Sequence, residues 1–154
     1  MNEIKQDKLP FEKFDHVGVV VRDLDKAIEY YQSLGMGPFE KRVIDTPADK
    51  TMYGKPADFK LKIATAPLGP IKLEIIEASD GAILQQEFLE NKGEGINHIA
   101  FAVGDLEKEK ATLMMKGLKV ILTIKLPTGA ECAYFDTRRV GGVIMELVKK
   151  AQTA

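Results

Sequence analysis

A single cysteine, Cys132, in 154 residues leaves no disulfide to form within the chain and suits a reducing compartment. No apolar run approaches the ~20 residues that a membrane-spanning helix needs, and the opening Met1-Asn2-Glu3-Ile4-Lys5 lacks the apolar core of a secretion signal. An excess of either charge is missing too. The 22 basic residues face 23 acidic ones spread along the chain, which leaves no basic footprint for nucleic acid. These absences predict a soluble, unexported, cytoplasmic protein with neither nucleic acid nor a membrane as partner. At this length one domain can bury its core without covalent staples.

Histidine is scarce as well, and both copies are informative. With an offset of 82, Phe14-Asp15-His16-Val17-Gly18-Val19-Val20-Val21-Arg22-Asp23-Leu24 lies over Ile96-Asn97-His98-Ile99-Ala100-Phe101-Ala102-Val103-Gly104-Asp105-Leu106, and Gly35 lies over Gly117. The segment ends match at an offset of 72, with Ile71-Lys72-Leu73-Glu74-Ile75-Ile76 resembling Val143-Ile144-Met145-Glu146-Leu147-Val148. The chain is therefore read as a diverged internal repeat whose first copy has the longer middle.

Each copy opens on a β-branched run that predicts a buried strand, and Asp23 and Asp105 follow as helix N-caps. Leu24, Ala27, Ile28 and Tyr31 recur at helical spacing, and Gly35 stops that helix. Pro67-Leu68-Gly69-Pro70 has the chemistry of a hairpin turn. Pro47, Gly54 and Pro56 among charges predict a loop from Asp45 to Asp58 after a strand near Lys41 to Ile44. The expected fold is α+β: two tandem βαβββ modules, residues 14–79 and 96–149, joined by a helix over 82–92 and forming one eight-stranded sheet that lines a cavity. Residues 1–13 are expected to form an N-terminal arm, outside a single domain over 14–149.

Imidazole nitrogen and carboxylate oxygen are ordinary ligands of divalent transition metals. One histidine alone is most simply a core imidazole bonded to backbone. Repeat equivalence reverses that preference and selects His16, Glu74, His98 and Glu146 as one metal quartet. Glu146 stands among Val143, Ile144, Met145, Leu147 and Val148. Burying even an uncharged polar group without a partner costs ~2–7 kcal/mol, so a compensating charge is expected there. Arg138-Arg139, ahead of Gly141-Gly142, is a candidate pair for holding an anionic substrate group at the cavity mouth.

These stretches, with Gly93-Glu94-Gly95-Ile96-Asn97-His98 and Gly141-Gly142-Val143-Ile144-Met145-Glu146, resemble the vicinal oxygen chelate superfamily, which includes glyoxalases, bleomycin-resistance proteins and dioxygenases. Within it the chain most resembles the methylmalonyl-CoA epimerases, from Phe14 to Lys149. The resemblance implies a glyoxalase-like fold and a divalent ion (Co, Ni, Mn, Zn or Fe) on His16, Glu74, His98 and Glu146. It also implies a homodimer, and proton transfer alpha to a carbonyl through a metal-stabilised enolate, with Glu146 as one base. The second epimerase base falls nearest Asp58, in Pro56-Ala57-Asp58-Phe59, where a shorter side chain replaces a glutamate. The implied substrate is an acyl-CoA thioester. A glutathione hemithioacetal, as for lactoylglutathione lyase, is the alternative, and a non-catalytic, resistance-type binding module is the reading from another class.

Overall fold

The repeat is visible first in the helix ends. Asp23 accepts a hydrogen bond from Lys26 N at 3.0 Å to cap α1 (Leu24–Ser33), and Asp105 accepts one from Lys108 N at 3.1 Å to cap α3 (Leu106–Met115). Each such cap is worth about 1 kcal/mol against alanine. Gly35 and Gly117 then take φ of 87° and 91°, the left-handed turn that ends a helix cheaply only when the residue lacks Cβ. A third helix, α2 (Ile83–Lys92), joins the halves. The computed structural model describes residues 10–45, 49–79 and 81–151.

The first half supplies β1 (Phe14–Val21), β2 (Glu40–Ile44), β3 (Asp49–Met52), β4 (Lys55–Pro56), β5 (Leu61–Leu68) and β6 (Ile71–Ala78). The second supplies β7 (Gly95–Ala102), β8 (Val120–Lys125), β9 (Glu131–Phe135) and β10 (Ile144–Lys149). All join one curled sheet in the order β2-β5-β6-β1-β7-β10-β9-β8-β3-β4. The two sets β2-β5-β6-β1 and β8-β9-β10-β7 have the same internal order and meet where β1 pairs antiparallel with β7. Strand 1 of each set lies parallel to its last strand.

Among the described residues ten strands stand where eight are expected. The extra two, β3 and β4, lie in the segment read as a loop, because Lys50–Met52 of the first half finds its partner in Leu122–Ile124 of β8, far away in sequence. Local proline and glycine signals cannot register such a pairing. Of the expected N-terminal arm, residues 1–9 fall outside the described residues.

Strand alternation sorts the core into three layers. Inside the curl, Phe59, Leu61 and Ile76 of the first half pack in one cluster with Leu122, Ile124 and Ile144 of the second. Outside it, α1 covers Ala64, Leu73 and Ile75 through Leu24 and Ile28, and α3 covers Ala133, Phe135 and Leu147 through Leu106 and Leu113. The inner face keeps one polar exception, around the β1–β7 seam. Among the described residues no helix is long and apolar enough to cross a membrane.

Candidate metal centre

The register that pairs the strands also places the quartet. On the parallel ladder β1–β6, Glu74 faces Gly18, two residues beyond His16; on β7–β10, Glu146 faces Ala100, two residues beyond His98. Across the seam Gly18 is opposite His98 and Ala100 is opposite His16. Each small residue therefore makes room for the imidazole of the other half. At Gly18 an added Cβ would lie 1.9 Å from His98 Cε1, so any larger residue would displace the ring.

His16, Glu74 and His98 bring ligand atoms within 4.8 Å of one another, and Glu146 approaches both imidazoles beside them. His16 Nε2 lies 3.2 Å from His98 Nε2, and Glu146 Oε2 is 3.1 Å from each. Glu74 offers Oε2 to His16 and Oε1 to His98, both at 3.5 Å. His16, Glu74, His98 and Glu146 are 5%, 5%, 0% and 4% exposed, so water does not disperse their charges. Neighbouring ligands on an ion with ~2.1 Å bonds stand about 3 Å apart, close to these separations.

Ring tautomers agree with that fit. His16 Nδ1 donates to Asp15 Oδ2 at 2.7 Å, and His98 Nδ1 donates to Asn97 Oδ1 at 3.2 Å. A neutral ring whose Nδ1 carries the proton keeps a lone pair on Nε2. Both lone pairs then face the same buried point, between two carboxylates, and only a cation or shared protons can fill it. The donor set fits a divalent transition ion.

Without an ion the rings hold protons. Burial disfavours the charged form of His16, but the Asp15 and Glu146 hydrogen bonds and the charges of Glu146 and Glu74 outweigh it and raise its pKa to about 10. His98 is raised to about 8 by the two glutamates against the same opposition from burial. Burial pushes the Glu146 carboxyl up, and the two imidazoles overcome this and hold it below the usual range. The hydrogen bond to His16 lowers Asp15 to about 2.

His16, Glu74 and Glu146 line a cavity of about 340 Å³ between β2, β5 and β6 on one side and β8, β9 and β10 on the other, and His98 is fully buried behind them. Its apolar walls include Leu61, Ile63 and Ile124; Arg42, Lys72, Lys149 and Lys150 bring positive charge to its lining. Burial pushes both the Cys132 thiol and the Tyr134 hydroxyl up, so both stay protonated as they line it.

The remaining residues singled out from sequence lie elsewhere. Asp58 is exposed and does not line the cavity, because it immediately precedes Phe59, which turns inward to the core. Arg138 and Arg139 occupy the β9–β10 turn and do not line the cavity, whose lining includes Val148 to Ala151 at the other end of β10. The Arg138 guanidinium is spent on Asp136, with Nε–Oδ1 at 2.9 Å and Nη2–Oδ2 at 3.0 Å. Sequence reasoning missed Arg42 and the ring-orienting pair Asp15 and Asn97. It also missed Gly18, although an isolated glycine in the run Val17-Gly18-Val19 signals close approach by another group.

A family model described as the Glyoxalase/Bleomycin resistance protein/Dioxygenase superfamily matches residues 15–134. The uncharacterized protein YqjC of Bacillus subtilis (strain 168) is 26% identical over 138 residues, which span 88% of this chain and 90% of the relative. The crystal structure of methylmalonyl-CoA epimerase from Mycobacterium tuberculosis superposes with a TM-score of 0.73 at 25% identity, covering 96% of this chain and 93% of that one. A variant of Streptomyces coelicolor methylmalonyl-CoA epimerase in complex with 2-nitronate-propionyl-CoA gives a TM-score of 0.71 at 23% identity, over 91% of this chain and 98% of that one, a likeness of fold.

Proposed function

The chain belongs to the glyoxalase/bleomycin resistance protein/dioxygenase superfamily, and from that premise we propose that it is a metal-dependent epimerase-type isomerase acting at a carbon next to a thioester carbonyl, with a methylmalonyl-CoA-like acyl-CoA as substrate. The observation that carries this reading is the approach of two buried carboxylates to both imidazoles, Glu146 at 3.1 Å and Glu74 at 3.5 Å from each Nε2, beside a cavity that His16, Glu74 and Glu146 line. On this reading residues 14–149 act as one domain of two βαβββ repeats with a homodimer as the working form, and the ligands are these four side chains.

A divalent ion there supplies a Lewis acid for carbonyl oxygen, worth several kcal/mol where negative charge develops. The protein does the rest. Asp15 and Asn97 fix both rings so that each Nε2 faces inward. The apolar walls exclude water from the reacting carbon. Glu146, ionised and facing the cavity, takes the proton from that carbon, and a positioned base of this kind contributes about 10²–10⁴ in rate.

Epimerisation also needs a group to return the proton from the other side. Among the described residues, the carboxylates lining the cavity outside the quartet are Asp15, Glu40 and Glu131. Asp15 is held by His16 and Lys150, and Glu131 lies 3.3 Å from Lys125 Nζ. Glu40, on β2 and across the cavity from β10, is therefore assigned this role in place of Asp58.

The test is solvent deuterium entry at the α-carbon of methylmalonyl-CoA, run on protein of measured metal content. Metal-dependent exchange is expected, with Glu40→Gln slowing net epimerisation more than exchange from one face. Tight divalent-ion binding without exchange, alongside turnover of a glutathione hemithioacetal, would replace the epimerase reading with a lyase one; absence of any tightly bound ion would remove both.

A further inference from the structure

Arg42 sits on β2 at the sheet edge, where alternation turns Glu40, Arg42 and Ile44 toward the cavity and leaves Lys41 and Val43 outside it. Its Nη2 lies 3.6 Å from Glu74 Oε2, so the guanidinium reaches from the cavity to a member of the quartet. The Glu74 side chain is 7% exposed there, but that of Arg42 is 52% exposed. Arg42 thus touches the buried centre with one edge of a planar, five-donor group and offers the rest to whatever enters the cavity. Burial and the two glutamates push the Tyr134 hydroxyl up, and Arg42 is the positive charge that opposes them across the cavity.

A charge count points the same way. A divalent ion would offset Glu74 and Glu146. Asp15 is already offset by Lys150 and Glu131 by Lys125, each at 3.3 Å. Arg42 is then in surplus directly beside the centre, and Lys72 and Lys149 add two positive charges to the lining against Glu40. A neutral acyl group would leave that surplus uncompensated. An anionic group one or two carbons from the bound carbonyl would meet it with paired N–H donors, the geometry guanidinium provides for a carboxylate.

We propose that Arg42 is a specificity-determining residue that binds a second carboxylate of the substrate, so that the protein selects malonyl-type acyl compounds over simple acyl ones. The proposal rests on the reading of the quartet as a metal centre. A methylmalonyl-CoA-like substrate already carries that carboxylate; what Arg42 adds is the side chain that binds it.

The experiment uses the full chain loaded with zinc and titrates malonate and propionate by calorimetry, with metal content measured in each variant. Wild-type protein is expected to hold malonate at least about ten-fold more tightly than propionate. Arg42→Gln should lose most of that ratio while keeping its zinc and its propionate affinity, and Arg42→Lys should restore part of it. An unchanged ratio in Arg42→Gln, as two-point chelation of malonate by the ion would give, overturns the proposal. So does loss of zinc from Arg42→Gln, which would make Arg42 a support for Glu74 alone. If the Arg42-dependent ratio holds but methylmalonyl-CoA shows no deuterium exchange, the epimerase reading fails and Arg42 keeps its role; if exchange occurs with the same KM in Arg42→Gln, the reverse is true.

Discussion

Gly18 has no side chain because the His98 imidazole stands where one would be. The same logic puts Ala100, fully buried, opposite His16. A methyl at Gly18 would have to push the ring aside through a wall of packed strands, and overpacking of this kind costs ~1–3 kcal/mol. More importantly it would move Nε2 off the common point. Gly18→Ala is therefore expected to keep the far-ultraviolet circular dichroism of the fold while weakening zinc or cobalt binding by at least ~10-fold, as loss of ring positioning does in metal sites. Wild-type affinity in Gly18→Ala would mean that His98 has another seat and that the close approach is incidental. Asp15 and Asn97 belong to the same scale of argument. They occupy equivalent places, each accepting from the Nδ1 of the following histidine, but one is charged and the other is not. The greater rise of the His16 pKa follows from the charged Asp15 partner, because Glu146 hydrogen-bonds both rings, and from the deeper burial of His98, which opposes its charged form more.

At the scale of elements, β3 is the piece that does not belong to the repeat. Its Lys50 is 5% exposed, donates to the carbonyls of Asp45 and Phe59, and holds Nζ 5.1 Å from the centre of the Phe59 ring. One buried amine thereby ties the approach to β3 to the approach to β5. Lys50→Ala leaves two carbonyls without their donor, at ~1–3 kcal/mol, and the expected outcome is a lower urea midpoint with metal affinity within about two-fold of wild type. A variant that lost metal in proportion to stability would show instead that β3 supports the centre. Elements also set what was legible in the sequence. The caps at Asp23 and Asp105, the stops at Gly35 and Gly117 and the paired histidine and glutamate strands are local patterns repeated at a fixed offset, and each appears in the structure where the pattern puts it. The β3–β8 pairing is not local, and the punctuation of Pro47, Gly54 and Pro56 hides it. Asp58 fails to reach the cavity because its neighbour Phe59 takes the inward position. Arg42 was invisible for a related reason: nothing in Glu40-Lys41-Arg42-Val43-Ile44 tells which of its charges turns inward.

For the whole molecule the decisive fact is that β1, β6, β7 and β10, two strands from each half, each give one member of the quartet and lie at the seam where the halves join. An ion held by all four would staple that seam, so its removal should lower the stability of the entire domain. At a thousand times its dissociation constant a ligand stabilises by ~4 kcal/mol, which for a chain of this size is about 8–16 °C in melting temperature. The pH dependence separates this from generic salt effects. In metal-free protein His16 and His98 are raised above their ordinary 6.5 to about 10 and about 8. Groups raised on folding contribute fully below the unfolded value, and their contribution is lost as pH rises through about 8 and then about 10. Asp15, lowered to about 2, works in the opposite sense and is fully favourable above its ordinary 3.8. The metal-free protein should thus be most stable between the carboxylate range and about pH 6.5, and should lose stability toward pH 10. An ion requires both imidazoles neutral, so its binding releases protons and strengthens as pH rises over the same interval. Melting temperature followed from pH 6 to pH 9, with zinc and with EDTA, is expected to diverge: falling in EDTA and rising or level with zinc, in one transition each. Two parallel curves would mean that no ion engages His16 and His98 together, and the quartet would then be a buried proton-sharing network instead of a metal centre.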